Sequence, residues 1–335
     1  MIWNIEVYAE PGTKVDCKTV IADAPPLKTA ATMLPEGMMA LVRGTDQQRG
    51  YIEFVPACPR VELPFDSLVG RVTEGINSGR WLWAARLMRG AVDGPEGGRP
   101  DLLLLAASVY ELLAFHGLAR DCLSRALDKL DSAQRPGALV RLARAVYRDA
   151  GSRDEARVLL EEGMSSAELP VTLRVEGLLL SGQLERSPEP LEAAVKLARQ
   201  QLGEHPLLVT SLVALADQRA EQQPQQAEAH YQEAMRLQAR FSDGEFFNTA
   251  ERLARHLIRG GDLRGCLDLC AEVFESLRAC GLPQRDYLPF LLAAAEVHRR
   301  RGDEAQRASL MEKAMAIDFE GAARLDGEFR ALRGA

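Results

Sequence analysis

The sequence predicts a mainly α-helical protein, an array of antiparallel helix pairs behind a small N-terminal β-rich module. Three observations predict it. The apolar period changes near residue 64 from alternation to helical spacing, a small, large, small series then recurs behind successive turns, and prolines and glycines punctuate the segments. The 335 residues, 47% of them hydrophobic, suffice for about two ordinary domains or one extended array.

Residues 1–64 read as the β-rich module. β-branched and aromatic residues alternate with polar ones in IWNIEVYA (2–9), while MMALVR (38–43) and YIEFVP (51–56) are short strand-like runs joined by the turn GTDQQRG (44–50). Pro11, Pro25, Pro26, Pro35, Pro56, Pro59 and Pro64 punctuate the segment. A module this small is near the lower limit for a core of its own and is expected to pack on the helices C-terminal to it.

Residues 65–320 read as about seven helix pairs, and 321–335, charged and amphipathic, as a C-terminal cap. In GSRDEARVLLEEG (151–163) a turn glycine is followed by Ala156 at five, Leu160 at nine and Gly163 at twelve. Gly79 leads likewise to Ala84, Met88 and Ala91, Gln222 to Ala227, Tyr231 and Ala234, and Gly302 to Ala314 at the twelfth place. Gly117 leads to Cys122 and Ala126, and Gly261 to Cys266, Cys270 and Val273. Two helices approach closely only where small side chains let them, and cysteine serves there as alanine does.

These residues, with Tyr147 four before Gly151, resemble the tetratricopeptide-repeat family, whose helix-turn-helix unit stacks into a superhelix. The step from Gly117 to Gly151 equals the family's 34 residues, but other steps reach 38, 39 and 41, so longer helices are expected. The turn SGQLERSPEP (181–190) leaves the register of Ala193 and Ala194 open, and Pro206 matches the family's closing proline.

Charge and motifs exclude several function classes. The 48 acidic against 41 basic side chains give a net charge of −7, which disfavours general nucleic-acid binding and attachment to anionic membranes. No stretch approaches the length and apolarity of a membrane helix, and the first twenty residues lack a secretory pattern, so a cytoplasmic protein is expected. Cys17, Cys58, Cys122, Cys266, Cys270 and Cys280 are too sparse for a disulfide framework and read as reduced thiols. His256 with Cys266, Cys270 and Cys280 can be assembled as a zinc set, and His116 with Cys122 as a catalytic pair, but these cysteines sit at core offsets. GGDLRG (260–265) and GPEGGRP (94–100) lack the endings of phosphate-binding loops. The acidic runs in 154–163 fit a solvated helix face, and Asp16, Cys17 and Lys18 are ordinary polar residues. No catalytic residue, cofactor or metal is expected.

One pattern points to binding. Arg148, Arg219 and Arg299 lie three before their turns and Arg259 two before Gly261. Arg141 precedes Arg148 by seven, and Arg252 and Arg255 precede Arg259 by seven and four, so each set falls on one helical stripe. Arginine near a helix C-terminus also complements the macrodipole without any ligand. The family resemblance implies that first helices line a concave surface holding extended peptides, and puts these seven arginines on or beside it. The expectation is a non-catalytic scaffold or adaptor binding another protein through an acidic segment. The alternative is a regulatory or sensor protein whose array binds a peptide or small ligand.

Overall fold

The computed structural model describes residues 2–10, 13–21, 29, 39–44, 52–54, 63–241, 245–280 and 284–332. Residues 45–50 of the turn expected over 44–50, Met38, Tyr51, Cys58 and every N-terminal proline except Pro64 lie outside the described residues, as do the side chain of Cys280 and the last three residues of the cap. The chain divides into two compact units, Met1–Leu180 and Ser181–Ala335.

In the first unit β1 (Ile2–Glu10) pairs antiparallel with β2 (Thr13–Ile21) and β3 (Met39–Gly44), and β3 with β4 (Ile52–Phe54), giving the order β2-β1-β3-β4. Ile5 and Val7 are buried on one face of β1, as alternation requires. β2 is absent from the sequence reading because TKVDCKTVI has no clean alternation. It is an edge strand, with Asp16, Cys17, Lys18 and Thr19 all exposed, and such charges on an edge discourage pairing with other chains.

The helices of this unit are α1 (Phe65–Asn77), α2 (Trp81–Val92), α3 (Pro100–Leu112), α4 (His116–Leu127), α5 (Arg135–Ala150), α6 (Arg153–Met164) and α7 (Val171–Glu185), within which the unit boundary falls. The second unit continues with α8 (Pro188–Gln201), α9 (Pro206–Arg219), α10 (Pro224–Phe241), α11 (Phe246–Gly260), α12 (Leu263–Cys280), α13 (Leu288–Arg300), α14 (Glu304–Ile317) and α15 (Phe319–Arg330). Prolines stand in the first turn of α3, α5, α8, α9 and α13, where a missing N–H costs nothing and the fixed φ suits the helix. Pro206 is thus the opening residue of α9. Consecutive helices pack as antiparallel pairs, α3 on α4, α5 on α6, α9 on α10 and α13 on α14.

The turns inside six of the seven described pairs share one geometry, the exception being the α9–α10 turn at Gln222. The residue two before the second helix is left-handed at Gly79, Ala114, Gly151, Arg186, Gly261 and Gly302, with φ between 55° and 79°. This corrects the sequence frame at one place: Gly117 lies inside α4, and Ala114 is the turn residue. Counted from Ala114, the small, large, small positions are Ala119, Leu123 and Ala126, all fully buried. Cys122 is buried too, one place off the frame, and does not take the place of Ala84, Ala156 and Ala227.

The open register after SGQLERSPEP also resolves. Arg186 is its turn residue, which puts Leu191, Val195 and Ala198 at the three offsets, all buried. A leucine stands where Ala84, Ala119, Ala156, Ala227 and Cys266 are small. Gly182 makes room for it: a Cβ there would lie 2.4 Å from the Leu191 Cδ2, so the small residue has moved to the facing helix.

The step of 38 disappears with the corrected turn residue, and the steps of 39 and 41 have a plain cause. α10 and α12 run 18 residues each, against 12 for α2, α4 and α6. The array ends on α15, which packs on α13 and α14 and buries Ala322 and Phe329. It starts two residues before the expected cap because the Asp318 side chain caps it, accepting from the Gly321 N–H at 2.9 Å.

Candidate partner-binding face

In the first unit the first helices α3, α5 and α7 bring their polar stripes together. The Arg141 fork donates twice to Glu111 Oε2, from Nη2 at 2.7 Å and Nε at 3.0 Å, and its Nη2 also donates to Ser108 Oγ at 2.9 Å. Arg144, one turn on, bridges Glu111 at 3.2 Å and Glu176 at 2.6 Å. These are half-buried, charge-assisted bonds, stronger than exposed pairs on solvent-facing helices. Each ties a first helix to the next one along.

Arg148 continues the α5 stripe and is exposed, with no ion pair or hydrogen bond among the described residues. Partial desolvation, then the like charge of Arg144, lower its pKa. A guanidinium in that position is stabilised by any added carboxylate. The same two arginines act on His116: its burial first, then Arg148 and Arg144, push its pKa down to about 4. At His116 the two guanidinium charges outweigh the opposing Glu111, and the imidazole is neutral at physiological pH. Leu112, at the end of α3, is an exposed large apolar side chain one residue from Glu111.

In the second unit four of the predicted arginines have acceptors within the chain. Arg219 is paired with Glu192 and donates to His230 Nε2 at 3.2 Å, Arg252 is paired with Asp217, and Arg299 is held by Glu296 at 2.7 and 2.8 Å. Arg255 bridges Glu251 and Glu328, each at 2.9 Å, with its guanidinium 4.6 Å from the centre of the buried Phe329 ring. Burial alone would raise the Glu296 carboxyl, but Arg299 and Arg300 together bring its pKa below the ordinary value. Arg259 has no ion pair among the described residues. Of the seven predicted arginines, Arg148 and Arg259 thus keep their forks free of carboxylates.

The sequence reading missed Glu111, Arg144 and Glu176. Its frame at Gly117 hid the fact that Glu111 stands three before its turn, the place Arg148 holds in the next pair. The available signal was charge of opposite sign one repeat apart, since Arg141 and Glu111 are 30 residues apart and Arg144 and Glu176 are 32 apart.

Cys122, Cys266 and Cys270 are packing residues. Cys266 and Cys270 are fully buried, and the Cys270 Sγ donates to the Phe290 carbonyl at 3.6 Å. A hydrogen bond with Cys266, then burial, push the Cys270 thiol well up, and burial pushes Cys122 up to about 12. Neither is a thiolate nucleophile at neutral pH. Among the described residues no three His, Cys, Asp or Glu side chains converge on a possible metal position, and no helix is long and apolar enough to cross a membrane.

Comparison with solved structures bears on the fold. A tetratricopeptide repeat protein from Parabacteroides merdae superposes with a TM-score of 0.50 over 79% of this chain and 98% of its own, at 13% identity. This is a tetratricopeptide-repeat-like fold. A Rap protein complexed with competence and sporulation factor superposes with a TM-score of 0.53 over 81% of this chain and 88% of its own, also at 13% identity. No family model and no curated protein sequence matches the chain. In tetratricopeptide-like terms, α3, α5 and α7 are the first helices of successive repeats, and the Glu111, Arg141, Arg144, Glu176 row runs across them.

Proposed function

We propose that the chain is a non-catalytic protein-interaction scaffold, and that the first-helix face of α3, α5 and α7 holds an acidic segment of a partner protein with Arg148 as its free charged contact. One observation carries this reading: along a row in which Glu111, Arg141, Arg144 and Glu176 neutralise one another, Arg148 is exposed and has no acceptor among the described residues. The paired residues fix the helices, and the unpaired one offers a planar fork matched to a carboxylate. Arg259 offers a similar fork within the second unit. The Rap protein solved with competence and sporulation factor supports the idea that a fold of this kind serves as a binding platform. The test is capture of partners from extract of the native cell on the immobilised full chain, in parallel with an Arg148→Glu variant. A protein retained in near-equimolar amount by the first and lost by the second supports the reading. Identical captures from both would refute the role of this face.

A further inference from the structure

The two longest repeat helices, α10 and α12, are second helices of consecutive pairs, and a groove runs between them over α11. It opens a cavity of about 440 Å³. Its floor is apolar, formed by the half-buried Phe246 of α11 together with the edges of Met235 of α10, Leu253 and Leu257 of α11 and Leu269 of α12, which are otherwise buried in the core. Its rim is acidic: Glu228, Asp262, Asp268 and Glu272, against one lining guanidinium, Arg236. A second cavity of about 490 Å³ shares Glu228, Leu257 and Asp262 with the first and adds Glu221, but it also takes in Arg259, so the strongly acidic rim belongs to the first cavity.

The carboxylates are not consumed by internal pairing as those of the first-helix row are. Glu228 accepts from the Gln232 amide at 2.9 Å, Asp262 caps α12 at the Gly265 N–H at 2.8 Å, and Asp268 has only a loose pair with the exposed Arg264 at 3.9 Å. The Glu272 side chain has no partner among the described residues. A cationic side chain laid along either border would therefore meet unneutralised charge.

We propose that this groove docks a basic amphipathic helix of another protein, with large apolar residues at helical spacing on the Met235, Leu253 and Leu269 floor and Lys or Arg side chains against Glu228 and Glu272. The choice of occupant follows from charge and shape. An acidic segment would set like charge against four carboxylates, whereas a basic helix gains steering from both this rim and the net charge of −7. A trough between two helices matches the helix-in-groove mode of recognition. The groove shares no lining residue with the α3, α5 and α7 face, so either proposal can fail without the other.

The probe is a labelled model helix of Leu and Lys, with Leu at i, i+3, i+4 and i+7, titrated by fluorescence anisotropy against the full chain; a Ser and Lys counterpart controls for charge alone. Glu228→Lys with Glu272→Lys should weaken the Leu and Lys helix by about tenfold or more, while Glu312→Lys on α14 leaves it within about twofold. Glu228→Gln with Glu272→Gln, which preserves shape, should weaken it by about threefold or more, and wild type should bind the Ser and Lys helix at least about tenfold less tightly. Equal losses from Glu312→Lys and the groove variants would overturn the proposal, as would equal binding of both helices. A wild-type dimer in sedimentation that Glu272→Lys dissociates would overturn it in favour of a second copy of this chain.

Discussion

Arg141 of α5 donates two hydrogen bonds to one carboxylate oxygen of Glu111 on α3, at 2.7 and 3.0 Å, and so joins the first helices of neighbouring repeats. A charge pair placed one repeat apart does for this face what small residues do for the helix seam within a pair: it fixes register. It also satisfies an arginine that sequence alone offers as a ligand contact, which concentrates the binding argument on Arg148.

Cys266 and Cys270 test the packing reading of the array. Cys266→Ala keeps a small residue at its offset and should cost about 1 kcal/mol or less, whereas Cys270→Ala opens a void and removes the bond to Phe290, costing about 1–2 kcal/mol. Urea unfolding of both variants measures this, and metal analysis of the wild type should find no stoichiometric zinc.

Ala114 tests the corrected turn frame. Its φ of 60° is strained for a residue with a Cβ, so Ala114→Gly should stabilise the protein by about 0.5–1 kcal/mol. Had the turn been at Gly117, the same change would fall in a helix and destabilise by about 1 kcal/mol. The sign of the shift in unfolding midpoint decides between them.

Much of the fold was legible because small, large, small spacing is a property of single helices and their turns. Ala84, Ala156, Ala227 and Cys266 declare themselves by position, and all are fully buried. Ala114 did not, since a left-handed alanine carries no sequence signature while the nearby Gly117 mimics one. The row of Glu111, Arg141, Arg144 and Glu176 was half legible: the α5 stripe showed, but its acceptors sit on other helices, and register between helices is set by packing. Leu191 was illegible for a related reason, because its compensating Gly182 lies on the facing helix.

Gly182 and Leu191 should behave as a coupled pair. Gly182→Ala places a Cβ 2.4 Å from Leu191 Cδ2 and should cost about 1–3 kcal/mol, and Leu191→Ala about 2–4 kcal/mol. The double variant restores the pairing used elsewhere and should fall about 1–2 kcal/mol short of the sum. Additivity in a double-mutant cycle would show that the two do not share one space.

His116 gives the pH dependence a sign. Its pKa is about 4 in the fold and about 6.5 when unfolded, so the unfolded chain binds the extra proton first. Its contribution to stability is fully present above about pH 6.5 and is lost as pH falls toward 4. Thermal midpoints of wild type and His116→Gln should therefore converge between pH 7 and 4.5 if the wild type starts higher; a difference independent of pH would contradict the buried neutral imidazole.

The most direct test of the scaffold reading is a calorimetric titration of the captured partner into wild type and Arg148→Glu at low and high salt. The account predicts that the variant binds about tenfold or more weakly, with a shallower loss of affinity on adding salt, while its free energy of unfolding stays within about 0.5 kcal/mol of wild type. Equal affinities with equal salt dependence would contradict it, and would move the partner's site away from the α3, α5 and α7 face.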